Sequence, residues 1–358
     1  MKKFNGFLAF FLAIVLIAVG AVGGYLGYVE SSKLVGDVYS NGEMQVHFLE
    51  LGNWYTGDCT YIKAGEADIL IDAGSRTSSV STIKAYLDNY VTDGILEYVI
   101  VTHAHQDHYA GFATNENTDS IFDLYECEMI IDFALTNQDA SKGLYKNYLR
   151  ERDAEVAAGA THLTARECIE QGKSEYELAS GIMMKILDQK FYYEETGDEN
   201  DYSVCTLFTC GDKNVLLTGD LEKDGEKSLI ERNTLPEVEL YKAGHHGSKT
   251  SSSPEMLQII KPEVVCVCCC AGSNEYTKTE ANKFPTQQFI DNIAPYTDKV
   301  YVTTLNTGDD NKSFASMNGN STVHISKNEV SVVGSANNTK LKDTEWFKSK
   351  RTTPAAWQ

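Results

Sequence analysis

Between Thr102 and Tyr109 the sequence runs His103-Ala104-His105-Gln106-Asp107-His108, directly behind the apolar stretch Tyr98-Val99-Ile100-Val101. Three imidazoles and a carboxylate so close together start nearly converged, so a cation can gather them at little cost in chain entropy. Neutral imidazole and ionised carboxylate are the donors that borderline divalent ions such as zinc prefer. The apolar stretch reads as a buried strand from Glu97 to Val101. The cluster therefore predicts a metal-binding loop at the C-terminal edge of a strand, where open α/β sheets carry their sites.

The pattern around it is α/β throughout and alternates twice. In the first half, Gln45 to Leu51, Cys59 to Ala64 and Ala67 to Asp72 read as short strands, followed by a helix from about Ser79 to Tyr90. The stretch from Phe112 to Gly181 reads as an insertion, with a strand at Met129 to Asp132 and a charged helix over Gly143 to Ala158 that could frame a cleft. In the second half, strands are expected at Val204 to Thr209, Asn214 to Thr218, Val238 to Ala243 and Glu263 to Cys270. Helices are expected near Glu222 to Glu231 and Pro285 to Ile293. Closing strands follow at Lys299 to Thr304, Ser321 to Ser326 and Glu329 to Val333, and the polar stretch from Gly334 to Gln358 is expected to be a mobile tail.

Lys2 and Lys3 precede an uncharged run from Phe7 to Val29, long enough to cross a bilayer. The lysines should stay inside, which predicts residues 1–6 in the cytoplasm, a single-pass signal anchor at 7–29, a linker at 30–43 and a domain at 44–333 outside the cell membrane. The net charge of −20 argues against a broad basic surface that would hold nucleic acid by its phosphates. Of nine cysteines, Cys266, Cys268, Cys269 and Cys270 fall in a β-branched apolar run and read as buried thiols, and no C-x-x-C pair suggests a zinc ribbon.

Two further strand ends carry chemistry. Leu216-Leu217-Thr218-Gly219-Asp220 delivers a carboxylate after a glycine turn, and Tyr241-Lys242-Ala243-Gly244-His245-His246-Gly247-Ser248-Lys249 delivers two more imidazoles. Five of the eight histidines thus stand at strand ends. Asp72, in Ile71-Asp72-Ala73-Gly74, is placed to orient a ligating imidazole through its other ring nitrogen, and the segment Gly52 to Asp58 reads as a second supporting turn.

In this order, Asp72, His103-x-His105-x-Asp107-His108, Asp220 and His245 resemble the metallo-β-lactamase superfamily over about residues 44 to 333. Gly57-Asp58, Asn200 to Ser203, Leu217 to Glu222 and Gly244 to Thr250 are most similar to the extracytoplasmic domain of ComEC-type competence proteins. The resemblance implies a four-layered αβ/βα sandwich with two divalent metal ions, zinc first and manganese as the alternative. It places His103 and His105 on one ion, Asp107, His108 and His245 on the other, and Asp220 between them. His246 would face the substrate or leaving group. Asp107 or Asp220 would steer the attacking water, and Ser248 and Lys249 would contact an anionic group.

The chain departs from that pattern in three places. Only His162, in a polar stretch expected to be loop, stands where many relatives have a further ligand, and it is left unassigned. Phe284-Pro285 replaces a common His-Pro, and the later arginine is missing near Tyr301 to Thr304. The expected function is a membrane-anchored, extracytoplasmic binuclear metallohydrolase acting on phosphoester or phosphodiester bonds. Its substrate would be a small or surface-bound ester, with DNA less favoured by charge. Lactone or thioester hydrolysis is the enzymatic alternative, and a catalytically silent metal-binding surface module the non-enzymatic one.

Overall fold

The computed structural model describes residues 43–51, 55–115, 118–308 and 313–358. The expected cytoplasmic N-terminus, membrane anchor and nearly all of the linker lie outside these residues, as do Gly52, Asn53 and Trp54. No helix among the described residues is long and apolar enough to cross a membrane.

Two eight-stranded sheets form the body. The first half supplies β1 (Met44–Phe48), β2 (Thr60–Ala64), β3 (Ala67–Ile71), β4 (Ile95–Ile100), β5 (Glu126–Asp132) and β6 (Thr161–Thr164). The second half supplies β7 (Glu175–Ala179), β8 (Ile182–Ile186), β9 (Thr206–Cys210), β10 (Lys213–Leu217), β11 (Leu240–Lys242), β12 (Val264–Ala271), β13 (Val300–Asn306) and β14 (Phe314–Ser316). The chain then returns to the first sheet with β15 (Ser321–Ile325) and β16 (Val330–Gly334). The orders are β16-β15-β1-β2-β3-β4-β5-β6 and β14-β13-β12-β11-β10-β9-β8-β7. In each sheet an antiparallel meander feeds a run of parallel strands, β3 to β6 in one and β10 to β13 in the other.

Side-chain alternation builds the layers. In the second sheet Val215, Leu217, Leu240, Val264, Cys266 and Cys268 join the core shared with the first sheet. Leu216, Tyr241, Val265, Val267 and Cys269 instead pack with Leu229, Met256, Leu257, Phe289 and Ile290 from helices. A strand covered on both faces reads as a continuous apolar run, which is why β12 is buried from end to end. Its thiols act as small hydrophobes, and all nine cysteines are buried.

Two expectations are corrected. The stretch from Gly334 onward is no loose tail: the helix Glu345–Lys350 and the turn Ala355–Trp357 dock on the second sheet's helical face, burying Leu341, Phe347 and Trp357, with Trp357 Nε1 donating to Thr297 O at 2.8 Å. A few apolar residues spaced through a polar segment were enough to anchor it. His162 lies on edge strand β6 rather than in a loop, its Nε2 2.8 Å from Asp132 Oδ1, away from the other histidines. The hairpin β7–β8 and the helix Pro254–Ile260 also went unpredicted, the latter opened by Ser253 as its N-cap.

Candidate metal centre

β3 and β4 run parallel and end side by side, so Asp72 and the segment after Ile100 meet at one edge. Asp72 accepts from the Thr102 backbone N–H and from Thr102 Oγ1, both at 2.8 Å, and its Oδ2 lies 2.7 Å from His108 Nδ1. The imidazole is thereby turned so that Nε2 points outward, 3.2 Å from Asp220 Oδ2. A carboxylate behind a ligating histidine fixes its tautomer and ring orientation.

Asp220 arrives from β10 through Gly219, whose φ is +55° and whose missing side chain leaves room for Ser203 and Thr102. Its backbone N–H donates to Ser203 Oγ at 3.1 Å. The loop carrying Asp58 approaches from the other side. Gly57 also has positive φ, and a Cβ there would collide with the carbonyl of Asp107. Asp58 N donates to that carbonyl at 3.0 Å.

The two imidazoles after β11 take separate directions, and His245 does not stand where a ligand was expected. His245 and His246 both adopt left-handed backbone, at φ 45° and 53°. This double kink turns His245 aside, with its Nδ1 3.1 Å from Glu222 Oε1 and 3.0 Å from Thr250 Oγ1. It swings His246 inward, fully buried, with Nε2 3.2 Å from Asp107 Oδ2 and 3.1 Å from Asp220 Oδ2. His246 Nδ1 is held by Cys268 O at 2.9 Å and faces Asp58 Oδ1 at 3.2 Å. His246, not His245, therefore stands with the other donors. Non-glycine residues in left-handed conformation cost of order 1–3 kcal/mol each, and such strain collects where geometry serves a site.

Asp107, His108, Asp220 and His246 offer donor atoms all within 4.8 Å of one another. His103 and His105 adjoin them. His103 is buried, its Nε2 lies 3.1 Å from His105 Nδ1, and its ring centroid is 4.1 Å from that of His108. Hydroxyls of Thr102 and Ser203 approach His103 Nδ1 at 3.2 and 3.4 Å. Burial first, and then the charge of His108, hold His103 well below the usual imidazole range, in the neutral form a metal needs.

A cation fits this donor set. Asp220 Oδ1 is buried and has no hydrogen-bond partner, while Oδ2 of the same carboxylate is shared by His108 and His246. A buried carboxylate oxygen without a donor is costly unless positive charge meets it. Although burial opposes it, His246 and His108 hold Asp220 well below the ordinary carboxyl range.

Ser248 and Lys249 do not converge on the cluster. Ser248 is buried and bonded within its own loop, its Oγ 2.9 Å from Thr250 Oγ1, and Lys249 reaches outward to Asn282 Oδ1 at 3.0 Å. Two neighbours went unassigned in the sequence. Lys242 is buried on β11 and ion-paired with Asp58, and a lysine inside an apolar strand run was the available signal. Tyr276 comes from a polar loop that carries no local signature; its Oη donates to Asp107 Oδ2 at 2.8 Å.

The architecture is mixed α/β with two sheets, and the sequence profile of the Metallo-beta-lactamase superfamily matches residues 52–114. The curated relatives are competence proteins of the ComEC type. ComE operon protein 3 of Bacillus subtilis is 25% identical over 258 residues, covering 65% of this chain and 29% of that protein. Recombination protein 2 of Haemophilus influenzae is 29% identical over 225 residues, covering 62% and 24%. The chain thus spans less than a third of the length of either relative. Among solved structures, the metallo-beta-lactamase fold protein YhfI from Bacillus subtilis aligns over 76% of this chain and 99% of its own, with 11% identity and a TM-score of 0.42.

Proposed function

We propose that the domain is a metal-dependent hydrolase of phosphoester or phosphodiester bonds, held at the outer face of the membrane by residues 7–29. The carrying observation is the convergence of Asp107, His108, Asp220 and His246 around a buried carboxylate oxygen that lacks a partner. In this reading these four hold one divalent ion, His103 and His105 serve a second, and Asp220 lies between them. Zinc is the first candidate and manganese the second.

Bound there, divalent ions act as Lewis acids toward an ester oxygen and make water a nucleophile near neutral pH. The chain's own residues do the rest. Asp72 and Asp58 orient His108 and His246, and Thr102 and Ser203 orient His103. Asp107 is the most accessible carboxylate of the four-residue cluster, placed to accept a proton or steer the attacking water.

The surroundings favour a small or surface-bound ester over DNA. Glu222 pairs with His245, and burial followed by the Glu222 carboxylate raises Asp198 above the usual range, so acidic groups stand beside this half of the site. With a chain charge of −20, a long polyanion would meet repulsion away from the metals. The ComEC-type relatives keep DNA among the substrates to be assayed.

The test loads the full chain with zinc or manganese and compares phosphodiester, phosphomonoester, lactone and β-lactam reporters with single-stranded DNA, using Asp220→Ala as control. Turnover of a phosphoester above that control supports the reading. Stoichiometric metal without turnover of any ester sinks it in favour of a silent metal-binding module.

A further inference from the structure

The segment 272–283 connects β12 to the approach of the helix Gln287–Ile293 and carries Tyr276 across the donor cluster. The Tyr276 ring lies nearly parallel to that of His246, with centroids 5.2 Å apart and planes 16° apart. Its hydroxyl donates to Asp107 Oδ2, the same oxygen that faces His246 Nε2. Yet Tyr276 remains 40% exposed, so the phenol has one edge on the cluster and another toward solvent.

The segment is held along its length. Gly272 N donates to Phe284 O at 2.9 Å, Thr56 N to Glu275 Oε2 at 3.4 Å, and Lys249 Nζ to Asn282 Oδ1 at 3.0 Å. The Phe284 ring backs Tyr276 at 5.1 Å. The phenol is thus a positioned donor beside the carboxylates. A donor already held in place needs no reorganisation to bond an oxygen that gains negative charge during reaction.

Resting on the hydrolase reading, we propose that Tyr276 is a substrate-contacting residue whose hydroxyl donates to an anionic oxygen of the phosphoester held at the cluster. Asp107 engages the phenol only until substrate arrives. A purely structural tyrosine would instead keep Asp107 in place, and its loss would act through metal content.

The experiment uses Tyr276→Phe in the full chain, which removes one oxygen and keeps the ring. Metal bound per chain, hydrolysis of bis(p-nitrophenyl) phosphate, and calorimetric binding of inorganic phosphate to the metal-loaded protein are measured for wild type and variant. Direct contact predicts kcat/KM lower by about 10- to 100-fold and phosphate affinity lower by about 10-fold, with metal content unchanged. Unchanged kcat/KM and phosphate affinity overturn the proposal while leaving the hydrolase reading intact. A loss that disappears at saturating metal also overturns it, since the hydroxyl then serves Asp107 alone. If wild type hydrolyses no phosphoester, the hydrolase reading fails and the role of Tyr276 falls with it.

Discussion

The ammonium of Lys242 rests on the carboxylate of Asp58, both of them buried, and the other oxygen of Asp58 faces His246 Nδ1 at 3.2 Å. Burial works against the charge on Lys242, but Asp58 and then Asp220 raise its pKa above the ordinary lysine value. Asp58, Asp72 and His108 also lie close enough to one another to hold a cation. Lys242 already supplies positive charge to that group, which marks Asp58 and Asp72 as an outer carboxylate layer behind the imidazoles.

Lys242→Met therefore removes the buried ammonium paired with Asp58. The expected loss of stability is about 3–5 kcal/mol, read from the denaturant midpoint, together with weaker metal binding through a misdirected His246. A variant as stable as wild type with unchanged metal affinity would show that the pair is not needed.

The two adjacent histidines should separate cleanly. His246→Ala should lower metal affinity by at least about 10-fold, because it removes a donor from the cluster, whereas His245→Ala should keep the metal. Equilibrium dialysis against zinc reads the difference, and the reverse order would restore His245 as the ligand.

Asp72→Asn keeps the shape of the residue but removes the charge that orients His108. Metal affinity should fall by about 10- to 100-fold, the range for lost carboxylate support behind a ligating imidazole. Competition with a chromophoric chelator measures it, and an unchanged constant would place Asp72 in a structural role alone.

Metal uptake should release protons. Burial disfavours the charged form of His108 and of His246, yet Asp220 first, then Asp72 for His108 and Asp58 for His246, raise both well above 6.5. The carboxylates thus favour the protonated form of both imidazoles in the metal-free protein, and ligation requires them neutral. Their folded-state pKa is raised, so their contribution to metal-free stability is fully present below the unfolded value and is lost as pH rises through the folded one. Metal affinity should climb over the same upper range. Zinc titration calorimetry in buffers of different ionisation enthalpy counts the protons, and a count of zero would contradict this charge arrangement.

The C-terminal segment should be part of the stable domain. Phe347 is buried, and the Arg351 guanidinium, one helix end away, donates to Pro285 O at 2.9 Å and Lys283 O at 2.7 Å. Phe347→Ala should cost about 3–5 kcal/mol by the cavity it leaves. Urea unfolding without loss of stability would return the segment to the status of a tail.

Much of this molecule was legible in local pattern. The helix Gly143–Ala158 falls where its sequence placed it, and β2, β3, β10, β12 and β15 lie within a residue or two of their expected bounds, because period-two alternation and turn residues act over a few positions. The hairpin β7–β8 was missed because its alternating charged and apolar residues resemble a polar surface until a neighbouring strand covers one face.

For the site, the sequence by itself supplied the candidate donors and their position at strand ends: the cluster from His103 to His108, the carboxylate at Asp220, the imidazoles after β11 and the supporting Asp72. Only the tertiary structure decided that His246 turns inward and His245 outward, since this depends on left-handed backbone at both residues, stabilised by contacts with Cys268 O, Glu222 and Thr250. It also decided that Lys242 meets Asp58 and Tyr276 meets Asp107. Those partners lie far apart in the chain, and no local periodicity records a contact that forms only when two sheets close on one another.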